Sequence, residues 1–280
     1  MSAATDAPVL SFVDPAETDD TYRVCLWAAP GQGKSVAAAS APAPILVLSA
    51  DRPSAYKFAR KHHAHTKDSL REVRYVDIST LEAVYRYLDS DQGAEVKTLV
   101  IDPVSHVVDA LADVAPQSRE GGPDYQWINK KMLGFIKSLR RFDVNVVLVA
   151  HEKLNDGKKG DGRLYPAIGG PTLINKLLAE MDIVAHVERV AKPTEDDPAA
   201  AVWIGQIQPR DNIVCKDATG ALGDKRIADL ARWFEVASEA LRADDDDLPW
   251  VEPAAEPEPD TEPADDANPE LAELPLGDAA

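Results

Sequence analysis

Residues 28–35 read A-A-P-G-Q-G-K-S and follow directly on an apolar run at 22–27. They match the phosphate-binding pattern G-x-x-x-x-G-K-[ST] except at the first position, where Ala28 replaces glycine. That pattern needs a strand before the loop and a helix after it, and the residues on either side predict both. We therefore expect a site for nucleotide phosphates rather than a chance glycine-rich turn.

The residue types in this loop suit phosphate chemistry. Gly31 and Gly33 allow the backbone to curl, so that successive N–H groups point at phosphate oxygens, and the following helix adds its positive end. Lys34 would reach the β- and γ-phosphates, and the Ser35 hydroxyl would bind Mg²⁺. We therefore predict ATP and Mg²⁺ as cofactors. The predicted nucleotide-binding residues are Pro30, Gly31, Gln32, Gly33, Lys34 and Ser35.

A second motif, T-L-V-I-D at 98–102, predicts a strand that ends in Asp102. In open α/β sheets ligands bind at the carboxyl ends of the strands, so this carboxylate would face the phosphate loop. Asp102 would then hold Mg²⁺ together with Ser35, as the Walker B aspartate does in P-loop enzymes. A buried strand that ends in Asp is a weak signal alone, but it becomes strong beside the phosphate loop.

Apolar runs alternate with helical patterns along the first 150 residues. The predicted strands are 22–27, 45–49, 73–78, 98–101 and 144–150, and the predicted helices are 54–63, 80–88, 125–142 and one after Gly33. Apolar strands flanked by helices indicate a parallel sheet buried on both faces. The predicted fold class is therefore α/β, doubly wound, with a mostly parallel sheet.

The pattern changes after about residue 182. Residues 183–190 and 201–208 alternate around a turn rich in Pro and Asp, which predicts an antiparallel hairpin, and a last helix is expected at 225–241. Beyond it, acidic Pro-rich sequence predicts a disordered tail. We expect an N-terminal segment at 1–20, where 9–13 could add an edge strand, one domain at 21–242 and the tail at 243–280.

Charge is divided unevenly along the chain. Its formal net charge is −18, but residues 1–242 carry 30 basic and 34 acidic side chains, and the other 14 acids lie in the tail. The acidic total therefore leaves room for a basic patch that binds nucleic acid. Cys25 and Cys215 are too few for a disulfide framework or a zinc site. Without a signal sequence or an apolar run of about 18 residues, we expect a cytoplasmic protein.

Taken in order, these motifs resemble RecA-like ATPases, most closely the AAA-type phage recombination ATPases of the single-strand annealing group. The resemblance covers about residues 20–235. It rests on the phosphate loop, L-S-A-D at 48–51, V-I-D at 100–102, D-Y-Q-W-I-N at 124–129, V-A-H-E at 149–152 and P-A-I-G-G at 166–170. It implies a RecA-like fold, a homo-oligomer with ATP between subunits, single-stranded DNA as partner, and DNA-stimulated ATP hydrolysis in annealing or strand exchange.

The resemblance also assigns two catalytic residues beyond Lys34 and Asp102. Asp51 matches the carboxylate that activates the attacking water, although Glu is commoner there, and the alternative is a residue that caps the next helix. His151 matches the polar residue that senses the γ-phosphate, and the alternative is a histidine that simply satisfies its hydrogen bonds at a strand end.

The stretch 152–170 matches the second DNA-binding loop of this family. It carries the candidate DNA-binding residues Lys153, Lys158, Lys159, Arg163 and Tyr165. Cations that follow phosphates beside an aromatic that stacks on a base are typical of single-strand binders, and an ordinary solvated loop is the alternative. Residues 115–122 would form a first, weaker DNA-binding loop.

Three further features lie outside the motifs. Arg210 and Lys216 resemble basic residues that reach the ATP of a neighbouring subunit, although Ala218 stands where the family often has another basic residue. His62, His63 and His65 are expected at a solvated helix end rather than at a metal. The tail segment D-D-D-D-L-P-W at 244–250 resembles the acidic tip of bacterial single-strand-binding proteins, which makes such a protein a further candidate partner. The alternatives are a solubilising tail and a tail whose acids compete with DNA for the basic loop.

Two other functions fit the phosphate loop. One is a nucleotide-gated DNA-binding or loader protein with little hydrolysis, which Ala28 and Asp51 would suit. The other is a small-molecule P-loop kinase, which is disfavoured because the loop after His151 is rich in Lys and Gly rather than in Arg.

Overall fold

The strand before the phosphate loop, β1 (Arg23–Ala28), lies inside a mixed sheet in the computed structural model of the chain. The structure describes residues 20–50, 54–119, 121–154, 162–192, 200–210 and 212–242. These residues belong to one compact unit that ends at Arg242. The tail and the proposed edge strand at 9–13 lie outside the described residues.

The elements follow one another in an alternating α/β order in the first half of the chain. The strands are β1 (Arg23–Ala28), β2 (Ile45–Ser49), β3 (Leu70–Arg74), β4 (Thr98–Asp102), β5 (Asn145–Leu154), β6 (Leu164–Pro166), β7 (Ile183–Ala191), β8 (Ala201–Gln206), β9 (Lys216–Asp217) and β10 (Lys225–Ile227). The helices are α1 (Lys34–Ala38), α2 (Ser54–Ala59), α3 (Ile78–Leu88), α4 (Val104–Val114), α5 (Tyr125–Ser138), α6 (Pro171–Ala179) and α7 (Leu230–Arg242), with 3₁₀ turns at Ala64–Thr66 and Leu139–Arg141.

The sheet order explains why the phosphate loop and Asp102 come together. Along the sheet the strands run β10-β8-β7-β1-β5-β4-β2-β3, and the six from β7 to β3 pair in parallel. The carboxyl ends of β1, β5 and β4 therefore lie side by side, which brings the loop after β1 close to Asp102. β8 pairs antiparallel with β7, which confirms the predicted hairpin, and the parallel centre confirms the predicted class.

Both faces of the sheet are buried, as the apolar strands predicted. On β1, Val24 and Leu26 pack in one apolar cluster, and Cys25 and Trp27 pack in the other. The first cluster takes side chains from α1, α2 and α7, and the second from α3, α4, α5 and α6. Alternate residues of a strand point to opposite faces, so each central strand contributes to two cores.

Strand β3 differs from its prediction. It spans Leu70–Arg74 rather than 73–78, and Ile78 already begins α3, where Asp77 and Thr80 form a capping box. β3 is the edge strand of the sheet, and only its Leu70 is buried. An edge strand needs no continuous apolar run. The prediction followed the more apolar residues at 73–78 and therefore placed the strand too far along the chain.

Other differences concern the helices. The helix expected at 54–63 ends at Ala59, and the one expected at 225–241 begins at Leu230 because Lys225–Ile227 pairs with β8. The sequence patterns identified neither α4 nor α6. Within the described residues, no helix is both long and apolar enough to cross a membrane.

Candidate nucleotide-binding site

The phosphate loop has the backbone that its glycines predicted. Gly31 and Gly33 adopt φ values of +80° and +84°, in the left-handed region that other residues rarely enter. The chain then turns directly into α1 at Lys34. The Gln32 side chain accepts a hydrogen bond of 2.9 Å from the Arg189 backbone N–H, which ties the loop to β7.

The Lys34 ammonium is held inside the loop. Its Nζ donates to the carbonyl oxygens of Ala28 and Ala29, each at 2.9 Å. Burial lowers the pKa of this lysine, while the nearby carboxylates of Asp102 and Glu152 oppose the shift. The loop uses only the backbone carbonyl of Ala28 here, which explains how alanine can replace the usual glycine.

Asp102 and Ser35 are in direct contact, as the two motifs predicted. Ser35 Oγ donates to Asp102 Oδ2 at 2.7 Å, and Tyr56 Oη donates to the same oxygen at 2.8 Å. Burial raises the pKa of the Asp102 carboxyl, and both hydrogen bonds and the Lys34 charge oppose that shift. Sequence reasoning missed Tyr56, because a helical pattern at 54–63 does not reveal which side chain meets β4.

The pair of oxygens fits a magnesium ion. Mg²⁺ prefers hard oxygen ligands and is usually held by one or two carboxylates with water and phosphate oxygens. The Ser35 hydroxyl and the Asp102 carboxylate supply such oxygens beside the phosphate loop. These two residues would hold the ion, and its charge would neutralise phosphate oxygens.

His151 lies at the carboxyl end of the central part of β5. In the sheet it is paired with Ala28, the first residue of the loop. Its side chain lines a cavity of about 860 Å³ together with Lys34, Ser35 and Asp102. The predicted catalytic residues Lys34, Asp102 and His151 are therefore brought together, whereas Asp51 lies outside the described residues.

This site agrees with the comparison to known families. A family model for an AAA domain matches residues 20–218, more than half of the chain. The chain belongs to the AAA domain family. No curated protein matches it. The family and the phosphate loop together identify a P-loop ATPase domain of AAA type that binds a nucleotide.

Three of the predicted DNA-binding residues of the AAA domain, Lys153, Arg163 and Tyr165, lie on or directly beside two paired strand segments that follow His151. The last residues of β5 leave the central sheet and pair antiparallel with β6, with Lys153 opposite Tyr165. Lys153 and Arg163 are exposed, and Tyr165 is half-buried. Lys158 and Lys159 lie outside the described residues.

The two basic residues expected to reach a neighbouring subunit are not at the site of their own chain. Arg210 forms an ion pair with Asp224 at 2.7 Å, and Lys216 Nζ donates to the Met181 carbonyl at 2.5 Å. In the part of the chain that the structure describes, neither lines the cavity. Their role toward a second copy stays a prediction.

The cavity also contains residues that no motif indicated. Phe58, His62, Arg189 and Trp203 line it beside the phosphate loop. His62 was expected only at a solvated helix end, yet its ring packs edge-on against Trp203 with centroids 4.8 Å apart. Its neighbour His63 donates a 2.9 Å hydrogen bond from Nε2 to the Val36 carbonyl of α1.

Proposed function

We propose that this AAA domain is a RecA-like ATPase that acts on single-stranded DNA in recombination, by annealing or strand exchange. The observation that carries the proposal is the continuity of β5. One strand places His151 in the nucleotide cavity and Lys153 in the exposed hairpin two residues later. At about 3.3 Å per residue, the two Cα atoms lie about 7 Å apart along the strand.

The nucleotide end of this arrangement has the groups that ATP hydrolysis needs. Lys34 supplies a cation for the β- and γ-phosphates, and Ser35 with Asp102 would hold Mg²⁺. His151 lines the cavity beside Lys34, so a γ-phosphate bound there would contact the strand that continues into the hairpin. A shift of His151 would therefore move the start of the hairpin directly.

The hairpin end has groups suited to single-stranded DNA. Lys153 and Arg163 present cations to solvent, and Tyr165, paired opposite Lys153, offers an aromatic ring on which a base could stack. In the sequence, Lys158 and Lys159 add two cations to the same loop. This composition favours contact with a flexible phosphate backbone rather than recognition of a particular base sequence.

Assembly into an oligomer belongs to the same proposal. In the family that the sequence resembles, a basic residue from one subunit stabilises charge on the phosphates held by another. Arg210 is exposed and Lys216 half-buried, and neither lines the cavity of its own chain in the described residues. A neighbouring copy is the arrangement in which either could reach ATP.

The test is ATP turnover by the purified protein with and without single-stranded DNA. We expect turnover to rise with oligo(dT) and much less with duplex of equal length. An ATP turnover rate that does not change when DNA is added, together with no DNA binding, would refute the proposal. ATP-dependent DNA binding with almost no turnover would instead favour the nucleotide-gated loader that Ala28 and Asp51 would suit.

A further inference from the structure

Trp203 of β8 lies directly on the phosphate loop. A Cβ atom built on Gly33 would stand 1.8 Å from Trp203 Nε1 and 2.0 Å from its Cδ1. The pyrrole edge of the indole therefore packs directly against Gly33, the residue before Lys34. These two residues are 170 positions apart in the chain, and the sheet order brings them together.

The indole N–H of Trp203 is buried without a hydrogen-bond acceptor among the described residues. Two other tryptophans show the usual situation, since Trp27 Nε1 donates to the Val214 carbonyl at 3.1 Å and Trp233 Nε1 donates to the Ile227 carbonyl at 2.8 Å. Buried donors without partners are rare in native proteins and call for an explanation. Because Trp203 lines the nucleotide cavity, we take the missing acceptor to be an atom of a bound ligand.

Trp203 belongs to an aromatic group on the cavity wall. The His62 ring stands edge-on to Trp203, and the Phe58 ring lies 5.1 Å from that of His62. All three side chains line the cavity that also contains Lys34 and Asp102. Phe58 is 56% exposed, so its ring is accessible to a ligand in the cavity.

We propose that Trp203 is a nucleotide-contacting residue: a bound nucleotide would separate the indole from Gly33, and the N–H released in this way would donate to an oxygen of the nucleotide. Phe58, His62 and the indole ring would contact the sugar and the base. A nucleotide matches both parts of this site: its oxygens can accept from the indole N–H, and its flat heteroaromatic ring can pack against the aromatic side chains. The proposal rests on nucleotide binding by the AAA domain and is independent of any role in DNA recombination.

The β7–β8 hairpin then becomes part of the nucleotide site. Arg189 of β7 donates its backbone N–H to Gln32, and Trp203 of β8 covers Gly33. Paired strands hold these two contacts in a fixed relation, since Arg189 and Trp203 are opposite each other in the register. The hairpin would therefore order the loop and contribute a donor to its ligand.

The test compares two conservative variants. Trp203→Phe keeps an aromatic ring but removes the N–H, and Trp127→Phe makes the same change on α5, outside the cavity. We expect Trp203→Phe to weaken ADP and Mg-ATP binding about tenfold by calorimetry, the loss of one buried hydrogen bond. Trp127→Phe should bind as the wild type does, with both variants folded by circular dichroism.

Intrinsic fluorescence gives a second readout that does not depend on turnover. ATP should change the tryptophan emission of the wild type and of Trp127→Phe, and the change should be lost in Trp203→Phe. Phe58→Ala tests the aromatic group on its own, because an exposed side chain can be removed without harming the fold, and it should weaken binding several-fold.

The outcomes separate this proposal from the nucleotide site itself. Wild-type affinity in both Trp203→Phe and Phe58→Ala, with the fluorescence change retained in Trp203→Phe, would overturn the proposal and leave the phosphate loop intact. A wild-type protein that binds neither ADP nor ATP would overturn the nucleotide site as well.

Discussion

Tyr56 Oη donates a 2.8 Å hydrogen bond to Asp102 Oδ2, the oxygen that also accepts from Ser35. Two donors on one carboxylate oxygen fix the rotation of Asp102. The Tyr56 side chain is fully buried, so water cannot easily replace its hydroxyl. The contact joins α2 to the end of β4 and would set the geometry of Asp102 as a magnesium ligand.

We expect Tyr56→Phe to weaken the response of ATP turnover to Mg²⁺. The variant keeps the ring but frees Asp102 to rotate, so turnover at low Mg²⁺ should fall about tenfold, the effect of one buried hydrogen bond. A Mg²⁺ titration of the steady-state rate measures this shift.

Tyr22→Phe is the matched control for that change. Its hydroxyl is hydrogen-bonded to Ser238 Oγ at 2.9 Å, in a buried side chain that does not line the cavity. Both variants should lose about 1 kcal/mol of stability. If both show the same Mg²⁺ dependence, Tyr56 contributes only to the fold.

We expect Lys34→Ala to abolish tight ATP binding while the protein stays folded. The ammonium is the cation of the phosphate loop, and its loss also removes its hydrogen bonds to the Ala28 and Ala29 carbonyls. Calorimetry with Mg-ATP and thermal unfolding would separate the two effects. Lys97→Ala, in an exposed ion pair with Asp143, serves as the control. ATP turnover at the wild-type rate in a folded Lys34→Ala variant would contradict the assignment of the phosphate loop.

The parts of this site that lie within one strand–loop–helix segment could be predicted from the sequence. Gly31, Gly33, Lys34 and Ser35 follow one another in a fixed pattern, so their geometry is local. Asp102 was also predictable, because carboxyl ends of parallel strands share one sheet edge.

Tyr56 and Trp203 could not be found in the same way. Their contacts with Asp102 and Gly33 depend on the order of strands in the sheet and on the orientation of a short helix. Neither the strand order nor the helix orientation can be predicted from the residues next to Tyr56 or Trp203 in the sequence. The error at β3 has a related cause, since an edge strand such as Leu70–Arg74 is only partly buried and lacks the apolar run that marks the central strands.

We expect the triple change of Lys158, Lys159 and Arg163 to Ala to weaken binding to single-stranded DNA. Each lost phosphate contact releases about 0.7 fewer counterions from a single strand, so the slope of log K against log salt should flatten by about two. Fluorescence anisotropy of a labelled oligonucleotide at several salt concentrations measures both effects.

An equal loss of charge elsewhere provides the control for that experiment. Arg86, Lys130 and Lys131 are exposed and line a groove between α3 and α5. Changing these three to Ala should leave the salt slope close to that of the wild type. A similar slope for both triple variants would show that the hairpin loop is only a solvated turn.

The two glycines Gly134 and Gly205 should respond in opposite ways to replacement by alanine. Gly134 lies inside α5, and a Cβ added there would have nothing within 4 Å, so Gly134→Ala should raise the free energy of unfolding by about 0.5–1 kcal/mol, the difference in helix propensity. Gly205 of β8 is buried, and a Cβ there would stand 2.5 Å from the Trp233 ring. Trp233 is fixed in the core, so Gly205→Ala should cost about 1–3 kcal/mol through overpacking. Urea unfolding of the two variants tests the packing of α5 and of β8 against α7, and a stabilised Gly205→Ala protein would show that Trp233 has room to move.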